Sequence, residues 1–452
     1  MSGPTLQPLR LRLQGRLSNL EQADVTSLVD RGSTGADVSG SDTVGSVRAI
    51  VAGILAEVRT LGDDALRDMA RRFDGVALDE IEVPRSSWDR ALAELDQDVR
   101  RALERAAANI RRFHEAQRPA AVRVETEPGV SVTRAWTPLA RVGVYAPGGT
   151  ASYPSSVLMG VVPARAAGVD EVVLCSPPGP EGRPPREILA ACAIAGVDRV
   201  FALGGAGAVA AMVFGTETVP SVDAVVGPGN RWVTEAKRQV AGDVVIDSLA
   251  GPSEVLVLAD ESAQAELVAL EMLAQAEHDP DASCVLVTTS DRLARDVSEA
   301  LSRLLAHAPR AEIARRALER AGAVLVADSP EEALAFTDRF APEHLSLMTR
   351  DAATDATKLR HAGTIFVGPA ASVAFGDYMT GANHVLPTAG RARSFSGLST
   401  HHFLRSFTIQ EVSGAGAQAM ADDVALLALA EGLPAHAEAA RARKAGSAGE
   451  EA

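Results

Sequence analysis

Four short segments of this chain carry side chains able to hold a metal or move a proton. In LEMLAQAEHDP (270–280), Gln275 and His278 stand three apart on a helical segment that ends at Asp279–Pro280. That spacing projects both from one helix face and suits a pair of metal ligands, although an ordinary polar helix end has the same pattern. In FAPEHL (340–345), adjacent Glu343 and His344 offer two bases of different proton affinity, just after a proline that restricts the chain. General acid–base chemistry uses such pairs, each base contributing about 10²–10⁴-fold; a surface Glu-His dipeptide is the plainer alternative. FGDYMTGANHVLPT (375–388) sets Asp377, Asn383 and His384 in a glycine-punctuated loop, a place where function concentrates. Late in the chain, Glu431 and His436 bracket Gly432 and Pro434; taken alone, that histidine reads as solvent-facing. His114, His307, His361, His401 and His402 have no partner pattern and read as structural or surface residues.

Two glycine loops are candidates for phosphate binding. Residues 205–210, GAGAVA, follow the run RVFAL and match the dinucleotide fingerprint with Ala in its last position. The acidic residue expected about twenty positions on should end the next strand. Asp223 instead precedes AVVG, so a standard ribose contact is not met. GPGN (227–230), opening the helix RWVTEAKRQV, is better placed as an anion cradle, because helix N-termini offer free N–H groups; a tight turn needing positive φ is the alternative.

These residues need elements to position them. From Val44 to Phe73 and from Ser86 to Gln117, apolar residues recur at helical spacing, with Ile50, Ile54, Val58 and Leu61 on one stripe. From Arg141 to Val240 short β-rich runs alternate with helices: 142–147, 171–177, 197–205 and 222–230 each read as a buried strand entering a Gly or Pro turn. A second alternation follows, with strands at 253–260, 284–289, 323–328 and 363–368 and helices at 263–278 and 291–306. Both patterns predict parallel sheets of βαβ units in two tandem α/β domains. Residues 1–44 read as an arm followed by a loose linker, RGSTGADVSGSD. Past Gly381 the β signal fades, and 416–447 reads as Ala-rich helix interrupted at Gly432–Pro434.

Composition bounds the functions these elements can serve. At 452 residues, 46% hydrophobic and 23% charged, the chain is globular and too long for one ordinary domain. Lys plus Arg is 44 against 59 Asp plus Glu, a net charge of −15 that disfavours phosphate backbones and so argues against nucleic acid as a partner. Cys175, Cys192 and Cys284 form no paired framework, which fits a reducing cytoplasm. A basic and then apolar leader is missing from the first thirty residues, and no apolar run approaches the ~18 residues of a membrane span.

Together these words resemble the histidinol dehydrogenases, the enzymes of the last two oxidations of histidine biosynthesis. The similarity runs from about Ala107 to His436. It is carried by ANIRRFHEAQ, RVGVYAPGG, VVGPGNRWVTEAKRQV, AGPSEVLVLAD, LAQAEH, APEHL, GTIFVG, GDYMTGANHVLPT and the late Gly-Leu-Pro-Ala-His. The resemblance implies two Rossmann-like, aldehyde-dehydrogenase-like αβ domains and a helical C-terminal tail exchanged within a homodimer. The expected division is an arm at 1–44, an αβ domain of 45–138 plus 243–380 carrying most zinc and catalytic residues, an NAD-associated αβ domain at 139–242, and a tail at 381–452 completing the partner's active site.

Residue by residue, Gln275, His278, Asp377 and His436 match the ligands of one zinc ion per subunit, and Glu343 and His344 match the catalytic bases. Ser253, His384 and Glu431 match positions touching the substrate L-histidinol, alongside the zinc and base residues. Tyr145, Gly207 and Asn230 match positions lining the NAD site. The implied reaction is a four-electron oxidation of L-histidinol through L-histidinaldehyde to L-histidine in the cytoplasm. Gly207 departs from the pattern, since the family usually has Gln after Gly-Gly-Ala, and ASVAF (371–375) lacks an acid that some members place there. Gly207 keeps two alternatives open: a zinc dehydrogenase of the same build acting on another small primary alcohol, and a binding protein without turnover. Glu431 argues against an anionic alcohol, because a carboxylate suits the ammonium group of histidinol.

Overall fold

The computed structural model describes residues 9–29, 40–148, 152–249 and 251–446. Its strands are, in chain order, β1 (Leu13–Arg16), β2 (Glu82–Val83), β3 (Val122–Glu127), β4 (Val130–Pro138) and β5 (Arg141–Tyr145). Next come β6 (Glu171–Ser176), β7 (Arg199–Ala202), β8 (Ala224–Val226), β9 (Val245–Ile246) and β10 (Glu254–Ala259). The last are β11 (Ser283–Thr288), β12 (Gly322–Val326), β13 (His344–Met348), β14 (Thr364–Val367) and β15 (Leu404–Val412). The chain divides into two compact units, one of residues up to Gln117 with Leu139–Phe403, the other of Arg118–Pro138 with the residues from Leu404 on.

The first unit holds two six-stranded sheets. One is ordered β1-β12-β11-β10-β13-β14 and is parallel throughout. Its strands are apolar on both faces: Val255, Val257 and Ala259 enter one core, Leu256 and Leu258 the other. The first core is closed by helices Ala265–Ala276, Asp291–Leu305 and Ala311–Ala321, the second by Gln22–Val29 and Pro330–Phe340. This is the two-sided covering that a parallel sheet requires. The other sheet is ordered β2-β7-β6-β5-β8-β9, with only β2 antiparallel. The chain moves outward from β5 through β6 to β7, then returns to the other side of β5 with β8 and β9, so the strand order reverses between β5 and β8.

Three expectations are corrected. The N-terminal arm is part of the fold: Leu13–Arg16 pair with Ala323–Val326 as an edge strand, and Val25, Leu28 and Val29 enter the core beneath. The loose run at 31–42 lies, up to residue 39, outside the described residues. The helices of 45–69, expected with 243–380, have their apolar stripe in the other sheet: Val51, Leu55, Val58, Leu66 and Met69 pack with Val209 and Met212 in the core of the β5 sheet. The small side chains of helix Gly205–Phe214 let that stripe approach closely. Finally, β signal continues past Gly381, since β15 pairs along all of β4, and β3 completes an antiparallel sheet in the second unit. Helices Gly414–Ala430 and Pro434–Gly446 pack on each other there. Among the described residues, no helix is long and apolar enough to cross a membrane.

Candidate active site

The candidate catalytic groups collect at the amino ends of β10 and β13, which pair Val255 with His344. Helix Pro330–Phe340 is stopped by Ala341, buried in the left-handed region at φ 51°, and Pro342 then carries the chain into Glu343 and β13. Gly363 is required alongside, since a Cβ there would stand 2.5 Å from the Glu343 carbonyl oxygen. Glu343 and His344 are 6% and 4% exposed, so this Glu-His pair is no surface dipeptide.

The backbone of Glu254 organises both. Its N–H donates to Glu343 Oε2 at 2.7 Å, and its carbonyl oxygen lies 3.0 Å from His344 Nδ1. A carbonyl only accepts, so Nδ1 carries a hydrogen and Nε2 is the ring atom left to gain or lose the proton. Nε2 is buried without a hydrogen-bond partner, 3.6 Å from Asp377 Oδ1, while Glu343 Oε2 is 3.4 Å from Nδ1. Phe366 stacks against the ring at 6.3 Å between centroids. Burial opposes charge on His344, but Glu343 and Asp377 on either side outweigh it and lift the imidazole well above its ordinary value. Burial likewise raises Glu343, against the attraction of His344.

Asp377 sits on the short helix Val373–Tyr378. Its carboxyl is raised by burial, yet His344, His384 and His278 together bring it below the ordinary value. His384 is pressed lower by burial, and its Nδ1 donates to the Asp377 carbonyl oxygen at 3.1 Å. Gln275, 2% exposed, and His278 lie on and just beyond the last turn of helix Ala265–Ala276. Ser253 is half-buried beside Glu254.

Two acids were not read from the sequence. Glu271 is buried on the same helix face as Gln275 and His278, and its Oε2 accepts the Val373 N–H at 3.0 Å, tying down the helix that carries Asp377. The i, i+4, i+7 series Glu271, Gln275, His278 was the available signal. Glu254 is buried as well, its Oε1 accepting the Ala389 N–H at 2.9 Å; an acid opening an apolar run was its only trace. Glu431 and His436 belong to the second unit, at the junction of its two helices. Among the described residues, no group of three or more His, Cys, Asp or Glu side chains is arranged to hold a metal by itself.

The NAD candidates Tyr145, Gly207 and Asn230 line one cavity of about 650 Å³ at the carboxyl ends of β5 to β8. Tyr145 is buried, its phenol oxygen accepts the Gly205 N–H at 3.2 Å, and burial pushes its pKa up to about 12. Gly207 lies against helix Asp63–Met69, where a Cβ would stand 2.9 Å from Met69 Sδ. The GPGN turn is not a free anion cradle. Asn230 Oδ1 accepts the Trp232 and Val233 N–H groups, and Asp247 accepts that of Gly227. Gly227 itself needs its φ of +115°, since a Cβ would lie 2.1 Å from the Tyr145 carbonyl oxygen.

Comparison with known proteins agrees with this geometry. The family model "Histidinol dehydrogenase" matches residues 39–444. The chain is 48% identical to histidinol dehydrogenase of Methanosarcina mazei over 95% of its own length and 97% of that protein. Identity to the enzyme of Parasynechococcus marenigrum is 49%, over 86% of this chain and 89% of that one. A crystal structure of histidinol dehydrogenase from Elizabethkingia anophelis superposes with a TM-score of 0.90 at 34% identity, covering 97% of this chain and 99% of that one. With its α/β sheets, its paired bases and these relatives, the chain belongs to the histidinol dehydrogenase family of NAD-dependent oxidoreductases.

Proposed function

We propose that this protein oxidises L-histidinol to L-histidine in two steps at Glu343 and His344, with zinc and NAD as cofactors. The observation that carries the reading is the orientation of His344: its Nδ1 is engaged by the Glu254 carbonyl, which leaves the buried Nε2 as the ring atom that exchanges a proton. The donor set fits a zinc ion. Two buried carboxylates, Glu343 and Asp377, flank one buried ring, an excess of acid that a cation offsets. Gln275, His278, Asp377 and His436 would hold it, two imidazoles, a carboxylate and a neutral amide being ordinary zinc chemistry. When bound, zinc supplies a Lewis-acidic anchor for the imidazole and amine of histidinol, and NAD supplies the hydride acceptor.

The chain's own groups then move the protons. His344 Nε2 accepts the hydroxyl proton as hydride leaves the carbinol carbon. Glu343 accepts a proton from water as the water oxygen adds to the aldehyde carbon, while His344 gives the proton it holds to the aldehyde oxygen, forming the hydrate and leaving His344 ready to accept again. His344 again accepts a hydroxyl proton as the second hydride leaves, giving the carboxylic acid. Ser253 and His384 contact the substrate, and Glu431 receives its ammonium group. A homodimer sharing its sites is supported by the second unit, whose helices leave Val424, Leu426, Leu427, Leu429 and Leu433 exposed around a core of only Ala425, Ala428 and Ala437. The test is NADH formed per L-histidinol consumed: two are expected, and no NADH with histidinol but turnover of another primary alcohol overturns the substrate assignment.

A further inference from the structure

The cavity beside Tyr145 has an unusual distribution of charge. It opens at the carboxyl ends of β5, β6, β7 and β8, next to the reversal of strand order where open α/β sheets bind ligands. In nucleotide-binding sheets of this order an acid ending the second strand of the run takes the ribose hydroxyls. Here that strand is β6, and it ends in Ser176 followed by Pro177-Pro178-Gly179-Pro180, with no acid. A carboxylate arrives from another element. Helix Asp63–Met69 widens into a π turn, Ala70–Asp74, closed by Gly75 at φ 70°, which sets Asp74 on the cavity wall with Pro177–Pro180.

Among the described residues lining this cavity, Asp74 is the one that is charged. The neighbouring Arg71 and Arg72 are paired with Asp68. Among the described residues Asp74, itself exposed, has no hydrogen bond or ion pair of its own, and desolvation raises its carboxyl. A ribose diol can donate to such a group. A 2′-phosphate at the same place would meet a carboxylate of like charge. We propose that Asp74 accepts the adenosine ribose hydroxyls of the dinucleotide and thereby selects NAD over its 2′-phosphorylated form, NADP. The proposal rests on the reading of this cavity as the NAD site.

The test is direct binding to the full-length protein, without substrate. NAD and NADP are titrated separately by calorimetry and by the fluorescence of Trp232, which lines the same cavity. The wild-type protein should bind NAD at least ~100-fold more tightly than NADP. Asp74→Asn and Asp74→Ala should weaken NAD about 10- to 100-fold, as loss of a charge-assisted hydrogen bond does, and narrow the NAD/NADP ratio by at least ~10-fold. Asp74→Glu, which keeps the charge, should retain the preference. If the Asn and Ala variants keep the wild-type melting temperature and a ratio within about threefold of wild type, Asp74 does not read the ribose and the NAD site itself stands. If the wild-type protein binds neither dinucleotide, the cavity assignment fails and the Asp74 proposal with it.

Discussion

Glu343 and His344 differ in what holds them, and so in what their loss should do. Glu343 takes its one backbone hydrogen bond from Glu254, and Glu343→Gln keeps its size while removing the proton acceptor. Oxidation of supplied histidinaldehyde should therefore fall about 10²–10⁴-fold, further than the first, alcohol-oxidising step. Single-turnover measurements in which the first hydride transfer falls as far as the second would assign the water to another base. His278→Ala should lower the zinc content measured by elemental analysis with little change in melting temperature, since His278 lies just past the helix it follows. The Glu-His pair and the Gln-x-x-His spacing were legible because side-chain type and local spacing are what a sequence states outright. Glu254 and Glu271 were not, because Glu254 acts through its own backbone on the Glu343 and His344 side chains and Glu271 through the Val373 N–H, partners that only the fold supplies.

At the scale of elements, two buried acids lock turns that no motif announces. Lys237 and Asp247 form an ion pair at 2.6 Å, with side chains 4% and 2% exposed, and both bond the backbone of Gly227. Lys237→Met leaves Asp247 buried and uncompensated, so unfolding in urea should show a loss of about 3–5 kcal/mol. Asp63, 5% exposed, accepts from the Thr216 and Thr218 hydroxyls and fastens the start of its helix to the loop after Phe214. Burial raises its carboxyl, but these hydrogen bonds and Arg67 outweigh it and leave the folded value lowered. A lowered folded value means that stability is fully present above the unfolded value of about 3.9 and is lost as pH falls through the folded one. The stability gap between wild type and Asp63→Asn should accordingly be largest at neutral pH and shrink below about pH 4; a gap independent of pH would remove Asp63's charge from the account. The parallel strands of both sheets were legible as apolar runs between helices. The hairpin β3–β4 and strand β15 were not: all six residues of β3 are exposed, so their polar sequence carries no burial pattern to detect.

For the whole molecule, the shared-site reading makes a prediction about mixtures. Glu343→Ala and His436→Ala, each inactive, should restore about a quarter of wild-type activity when refolded together at equal amounts, because half the dimers are mixed and each has one sound site. Mixed dimers that form and stay inactive would show the tail serving its own chain. The edge strand β1 has a consequence of a different kind. Arg16 reaches across to pair with Asp328, 312 residues later, at 2.7 Å, and β1 is hydrogen-bonded along β12. On a ribosome adding about 5–20 residues per second, the first strand made waits roughly 15–60 s for its partner. During that interval it is an unpaired ribbon, and the later strands emerge with one border open until it returns. Birth order thus runs against assembly order in this sheet, and a strand made early is among the last to find its place.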